Sequence, residues 1–237
     1  MKELLFFQVV LLTITGINMD IYNLKKELEN TYKYKVELHT HTTPVSPCSE
    51  ITPEKTAEIY YNHGYHAITL TNHFYNKIFE GMNKEDAIAY YMKDYYDTKK
   101  HCEKYNIKVY FGIEISFKKE NPNDFLIYGA DEEIAKECFD YLDSNLLEFR
   151  KSVNLNNSLF VQAHPLRGKS GPCDASLVDG VEGFNMHPGH NSAIGISLKY
   201  AKENKLNIIT AGSDYHHLEK NHEAVSAVRL KILINIK

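Results

Sequence analysis

Apolar positions in this chain alternate between two spacings, and each switch marks a passage from helix to strand or back. Residues 20–32 (DIYNLKKELENTY) place Ile21, Leu24 and Leu28 at helical intervals among charges, which predicts a short lead-in helix. Residues 35–41 then read as a first strand. Thr52-Pro53 supplies a hydroxyl cap and a first-turn proline for a helix with Ala57, Ile59 and Tyr60 on its apolar side and Gly64 as its stop. Further strands are predicted at 66–71 (HAITLT), 107–117 (IKVYFGIEISF), 125–130 (FLIYGA), 159–163, 181–185 (VEGFN) and 207–211 (NIITA). Helical stretches fall at 84–105, 132–151 and 192–204, and helical spacing assigns Tyr90, Tyr91, Tyr95 and Tyr96 to core packing. Seven strands alternating with helices predict an α/β fold of βαβ units with parallel pairing, in one domain. No internal repeat or low-complexity linker divides the chain.

Composition narrows the partners. At 237 residues, 43% hydrophobic and 24% charged, the chain is an ordinary globular protein large enough for a real core. Its net charge of -4 argues against a broad basic surface for a nucleic-acid backbone. A small phosphorylated substrate remains compatible, because a metal site can supply positive charge locally. Cys48, Cys102, Cys138 and Cys173 are widely spaced and form no C-x-x-C, so reduced thiols and a cytoplasmic location are expected. Residues 4–14 are apolar but shorter than the about 20 needed to cross a bilayer, and no membrane association is expected. Residues 1–18 read as an N-terminal extension without a part in the site, either a weak signal-like segment, with Glu3 after Lys2 and no small-residue cleavage site, or a stretch ahead of a natural start at Met19, and 19–237 as the domain.

The chemistry begins at Glu37-Leu38-His39-Thr40-His41. Alternation along a strand puts Glu37, His39 and His41 on one face, where two imidazoles can share a metal ion. Glu114 is the one acid inside an apolar strand, costly to bury unless paired or bound to metal. His39, His41, His73, Glu114, His164, Asp214 and His216 all fall at or just beyond the C-terminal end of a predicted strand, where α/β barrels assemble their active sites. No glycine-rich nucleotide loop is present.

The ordered set H-x-H, N-H, G-I-E, A-H-P and G-S-D-x-H, running from Val36 to His217, resembles the PHP (polymerase and histidinol phosphatase) family of metal-dependent phosphoesterases. The resemblance implies a distorted seven-stranded (β/α) barrel. It also implies that His39, His41, Glu114 and Asp214 hold one ion, that Glu114 bridges to a second held by His164, and that His73 and His216 belong to a third position. Glu37 becomes a candidate to orient a ligand histidine. Three positions differ from the family pattern. Asn72 stands where the family has an aspartate, Cys48 is the one metal-ligand type in the loop after H-x-H, and Tyr128-Gly129-Ala130 offers no histidine. One to three divalent ions are expected, with the third position the weakest; imidazole and carboxylate ligands suit zinc, manganese or iron.

The expected reaction is hydrolysis of a small phosphomonoester by metal-activated water. Asp214 and the histidines hold the ions, Glu114 bridges them, and Arg167 neutralises phosphate. His187 and His190, after the sixth strand, are rim candidates. A small metal-dependent nuclease or nucleotide phosphatase is one alternative reading, and a catalytically decayed metal-binding module another.

Overall fold

The computed structural model describes residues 21–117, 119, 122–187, 190–218 and 228–230. The expectations for residues 1–18 lie outside them. The elements run α1 (Ile21–Thr31), β1 (Tyr34–Thr40), α2 (Pro53–Asn62), β2 (Ala67–Leu70), β3 (His73–Phe74), α3 (Lys84–Glu103), β4 (Lys108–Ser116), β5 (Asp124–Tyr128), α4 (Glu132–Asp140), α5 (Leu146–Ser152), β6 (Leu159–Gln162), β7 (Gly180–Asn185), α6 (Ile194–Glu203), β8 (Ile208–Gly212) and β9 (Val228–Leu230). The strands follow the order β8-β7-β6-β5-β4-β2-β1-β9, with the two-residue β3 paired to β4. Seven of them form a nearly closed barrel, as expected; the short β3 and β9 carry too few apolar positions to stand out in the sequence.

Closure falls between β1 and β8. The Asp214 amide donates to the His39 carbonyl at 2.8 Å, and Thr40 and Tyr215 form a parallel bridge. Gly212 makes the approach possible, because a Cβ there would lie 2.3 Å from the His39 Cβ.

Two expectations are corrected. Pairing is parallel for β1–β2, β2–β4, β6–β7 and β7–β8, but β5 runs antiparallel to both its neighbours. Only residues 117–123 link β4 to β5, too few for the crossover of a dozen or more residues that a parallel return requires. The predicted helix over 132–151 is also two helices. Asn145 caps the second of them, its side chain accepting from the Glu148 amide while Glu148 reaches back to the Asn145 amide, and this local pairing replaces a continuous helix.

Alternation along the strands separates two apolar layers. Phe111, Ile113 and Ile115 of β4, Phe125 and Ile127 of β5 and Phe160 of β6 pack under the helices, with Tyr91, Phe117 and Phe149 filling the same layer. Leu126, Val161 and Ala163, on the other strand face, form a small separate cluster. Of the α3 tyrosines, Tyr91 is buried while Tyr96 is exposed. Among the described residues no helix is long and apolar enough to cross a membrane.

Candidate metal centre

The strand ends converge. β1 delivers His39 and, one residue beyond its end, His41; β3 sets His73 opposite Glu114 of β4; the turn after β6 delivers His164, and the turn after β8 delivers Asp214 and His216. His39 Nε2 lies 3.3 Å from Glu114 Oε1 and 3.5 Å from Asp214 Oδ1, and His41 Nε2 lies 3.4 Å from Glu114 Oε2 and 3.1 Å from Asp214 Oδ1. Glu114 therefore sits at the centre. Its Oε2 is 2.6 Å from His73 Nδ1 and its Oε1 3.2 Å from His164 Nε2, while His216 Nδ1 is 3.3 Å from Asp214 Oδ1. The reversed β5 adds Asp124, whose Oδ2 is 3.9 Å from His164 Nε2. The sets His39/His41/Glu114, His39/His164/Asp214, Glu114/Asp124/His164 and His41/His73/His216 each present ligand atoms within 4.8 Å of one another.

The donor set fits divalent cations. His39 Nε2, His73 Nδ1 and Glu114 Oε2 are buried without an aligned hydrogen bond, although His73 and Glu114 are close enough for one. Their short separations and poor angles are those of atoms aimed at a common point between them. Burial opposes charge on every group here, yet His73 and His39 hold the Glu114 carboxyl well below its usual range, and His39 leads in doing the same to Asp214. In return, against burial, Glu182, Asp214 and Glu114 raise His39, and Glu114 raises His73. Protons on His39 and His73 thus offset charge that a divalent ion would offset on binding. The backbone is also strained there. His164 and Asp214 have φ of 25° and 51°, the left-handed region that L side chains disfavour, and such strain persists where the surroundings over-determine it.

The PHP domain sequence profile matches residues 37–226. The chain belongs to the PHP-domain family. No curated protein matches it. Its fold is similar to that of a candidate metal-dependent phosphoesterase from Bifidobacterium adolescentis, at 16% identity and TM-score 0.55 over 78% of this chain and 89% of the other. A two-domain protein from Bacteroides vulgatus containing a predicted PHP-like metal-dependent phosphoesterase is 17% identical at TM-score 0.50, over 77% of this chain and 52% of that one. An amidohydrolase from Chromobacterium violaceum, solved with bound sulfate and no metal, gives 14% identity and TM-score 0.50 over 82% and 91%.

Around the PHP centre, the residues that touch the ligand-type groups differ in part from those the sequence singles out. The register of β1 shifts between Glu37 and Thr40, and both residues reach the Tyr60 hydroxyl, Glu37 at 3.4 Å and Thr40 at 2.8 Å. The Glu37 carboxylate also accepts the backbone amides of Leu38, His39 and Ser213, and burial pushes its pKa up to about 7. The partner of the His39 ring is Glu182, 2.9 Å from Nδ1, whose other oxygen accepts from the His164 amide and Asn185 Nδ2. Glu182 is fully buried in a strand otherwise rich in apolar residues and glycine, the same signal that marks Glu114. Asp124 escapes sequence reading because its place at the rim depends on the reversal of β5.

Arg167 reaches the centre and donates from Nη1 to Asp214 Oδ2. The His187 ring lies tilted against His190 (4.6 Å between ring centroids) and edge-on to His216 (5.4 Å), and burial lowers it to about 4. Cys48 is exposed on the rim; burial favours its thiol, but hydrogen bonds with His216 and His73 outweigh that and bring it to about 6. Asn72 is buried and, among the described residues, its side chain hydrogen-bonds no ligand-type ring; it accepts from Ser46, which meets His41 Nδ1 at 3.2 Å.

Proposed function

We propose that this protein is a metal-dependent hydrolase of small phosphomonoesters. The observation that carries the reading is the shared carboxylate Glu114, set among four histidines at the barrel rim with an arginine beside it. His39, His41, Glu114 and Asp214 would hold one ion, Glu114 and His164 with Asp124 a second, and His73 with His216 a third position beside Cys48. When bound, divalent ions supply the acidity that ionises water near neutral pH and the positive charge that a phosphoryl oxygen requires. Imidazole and carboxylate donors suit zinc, manganese or iron.

The chain's own residues do the rest. Glu182 holds His39 by its Nδ1 and leaves Nε2 facing Glu114 and Asp214. Asn185 Nδ2 donates to Asp214 Oδ2 at 3.2 Å and to Glu182, tying the β7 and β8 ends together. Arg167, 18% exposed at its side chain, can turn its fork of donors from Asp214 to a phosphate arriving from solvent. His187, held neutral at physiological pH by burial, would hydrogen-bond an ester oxygen without adding charge. The net charge of -4 supports a small substrate rather than a polynucleotide.

The test combines metal content of the purified protein with hydrolysis of phosphomonoesters, phosphodiesters and short oligonucleotides. Phosphomonoester turnover is expected, falling more than about 100-fold in Asp214→Asn as a ligand carboxylate is lost. Metal binding without turnover of any substrate would identify a decayed metal-binding module, and preference for oligonucleotides a nuclease. Activity indifferent to Asp214→Asn would overturn the assignment of the site.

A further inference from the structure

Asp94 lies on α3, away from the strand ends, yet it is 4% exposed and faces the turn after β1. Its Oδ2 accepts from Thr42 Oγ1 and from Asn72 Nδ2, the latter at 2.6 Å. Asn72 gives its second amide hydrogen to Thr42 Oγ1 at 3.0 Å, and its Oδ1 accepts the Thr42 amide at 2.7 Å and the Ser46 hydroxyl at 2.9 Å. Ser46 Oγ also meets the His73 amide at 3.0 Å and His41 Nδ1 at 3.2 Å. All of these side chains but His73 are buried.

Donor counting gives this chain of contacts one direction. An ionised carboxylate only accepts, so Asn72 must turn its NH2 towards Asp94 and its carbonyl towards Ser46. The single Ser46 proton then goes to Asn72, and the His73 amide can only donate. The remaining contact of Ser46 is with His41, so Nδ1 of His41 must carry a hydrogen and donate it. His41 Nε2, hydrogen-bonded to Asp214 Oδ1 at 3.1 Å and 3.4 Å from Glu114 Oε2, also faces acceptors, and a metal ion held there would take the place of a proton on Nε2 but not of the one on Nδ1.

We infer that Asp94 is a positioning residue that fixes a proton on Nδ1 of His41 through Asn72 and Ser46, so that Nε2 is the ring nitrogen presented to a metal ion. The inference rests on the proposed reading of His41 as a ligand. It gives Asn72, the departure from the family's aspartate, a physical account: the carboxylate has moved one contact outward, onto α3, and the amide passes its polarity on.

Proton–nitrogen correlation spectra of the metal-free protein in mildly alkaline buffer report which ring nitrogen of His41 is protonated. A proton on Nδ1 is expected in the wild type and its partial loss in Asp94→Asn, whose amide can face Asn72 either way. Metal affinity should fall about 10- to 100-fold in Asp94→Asn, as for other residues that orient ligand histidines. Asn72→Asp alone should lose affinity too, because two carboxylates then adjoin. The double variant Asn72→Asp/Asp94→Asn restores an acceptor beside Ser46 and should return to within about threefold of wild type, a non-additivity expected of residues in one network. A folded Asp94→Asn with the wild-type tautomer and affinity overturns the inference, as does a double variant no better than the worse single. Should Asp94→Asn not fold, the double variant decides: recovery of fold and affinity supports the relay, and failure of either sinks it. A wild-type protein that binds no divalent ion would end the metal reading, while the His41 tautomer would still decide the relay.

Discussion

The seam between β1 and β8 is held by buried carboxylates bonded to backbone amides, whereas across the barrel the wall of β4, β5 and β6 is held by stacked rings. At the seam, Glu37 binds amides on both sides, Gly212 admits the His39 Cβ, and Tyr60 reaches Thr40 at 2.8 Å. In the wall, Phe160 lies parallel to Phe125 at 5.2 Å between ring centroids and 5.4 Å from Phe149. Directional bonds fix where His39 and Asp214 point, while apolar packing is indifferent to angle and supplies bulk stability. The two sides should therefore fail differently when disturbed.

The largest effect on stability belongs to the wall. Phe160→Ala removes a fully buried ring from between two others and should cost about 3–5 kcal/mol. Its side chain packs on the helix-covered face, away from the centre, so the variant should still bind the wild-type complement of metal at a temperature where it is folded. Urea unfolding together with metal analysis checks both halves. Loss of metal from a folded Phe160→Ala protein would erase the division between wall and seam.

The same division explains what the sequence reveals. Ligand-type residues announce themselves because a histidine or acid at the end of an apolar run has no other economical reason to be there; His39, His41, Glu114, His164 and Asp214 are visible for that reason. Glu182 carries the same mark in VEGFN, but it belongs to no motif. Strand direction is not written in side-chain period, which reads the same both ways along a strand. The antiparallel β5, and with it the place of Asp124, is legible only from the shortness of the 117–123 link. The register shift in β1 between Glu37 and Thr40 is a backbone irregularity that strict alternation cannot express. Asp94 looks like one more polar residue on a helix until the donors around Asn72 are counted.

A smaller effect, and one on function, comes from Glu182→Gln. Glu182 accepts from His39 Nδ1 on one oxygen and from the His164 amide and Asn185 on the other. A glutamine must place its NH2 against a donor on one side or the other, whichever way it turns. Metal affinity should drop about 10- to 100-fold, or about 1.4–2.7 kcal/mol, by competition with a fluorescent chelator. An unchanged affinity would mean that Glu182 is packing rather than orientation.

The smallest effect tests the seam without touching a ligand-type group. Tyr60→Phe removes the hydroxyl that bonds Thr40 and lies 3.4 Å from Glu37 Oε2, and it should cost about 1 kcal/mol, the net worth of one buried hydrogen bond. The cost should depend on pH. Burial raises the Glu37 carboxyl from 4.5 to about 7, so its contribution to folding is most favourable below 4.5 and is lost as pH climbs through 7. The Tyr60 hydroxyl donates towards the ionised form, so deleting it should destabilise more above pH 7 than below pH 4.5. Urea midpoints for wild type and Tyr60→Phe on both sides of that window measure the difference. Equal losses at both ends would show that Tyr60 serves Thr40 alone and that Glu37 is held by its three backbone amides.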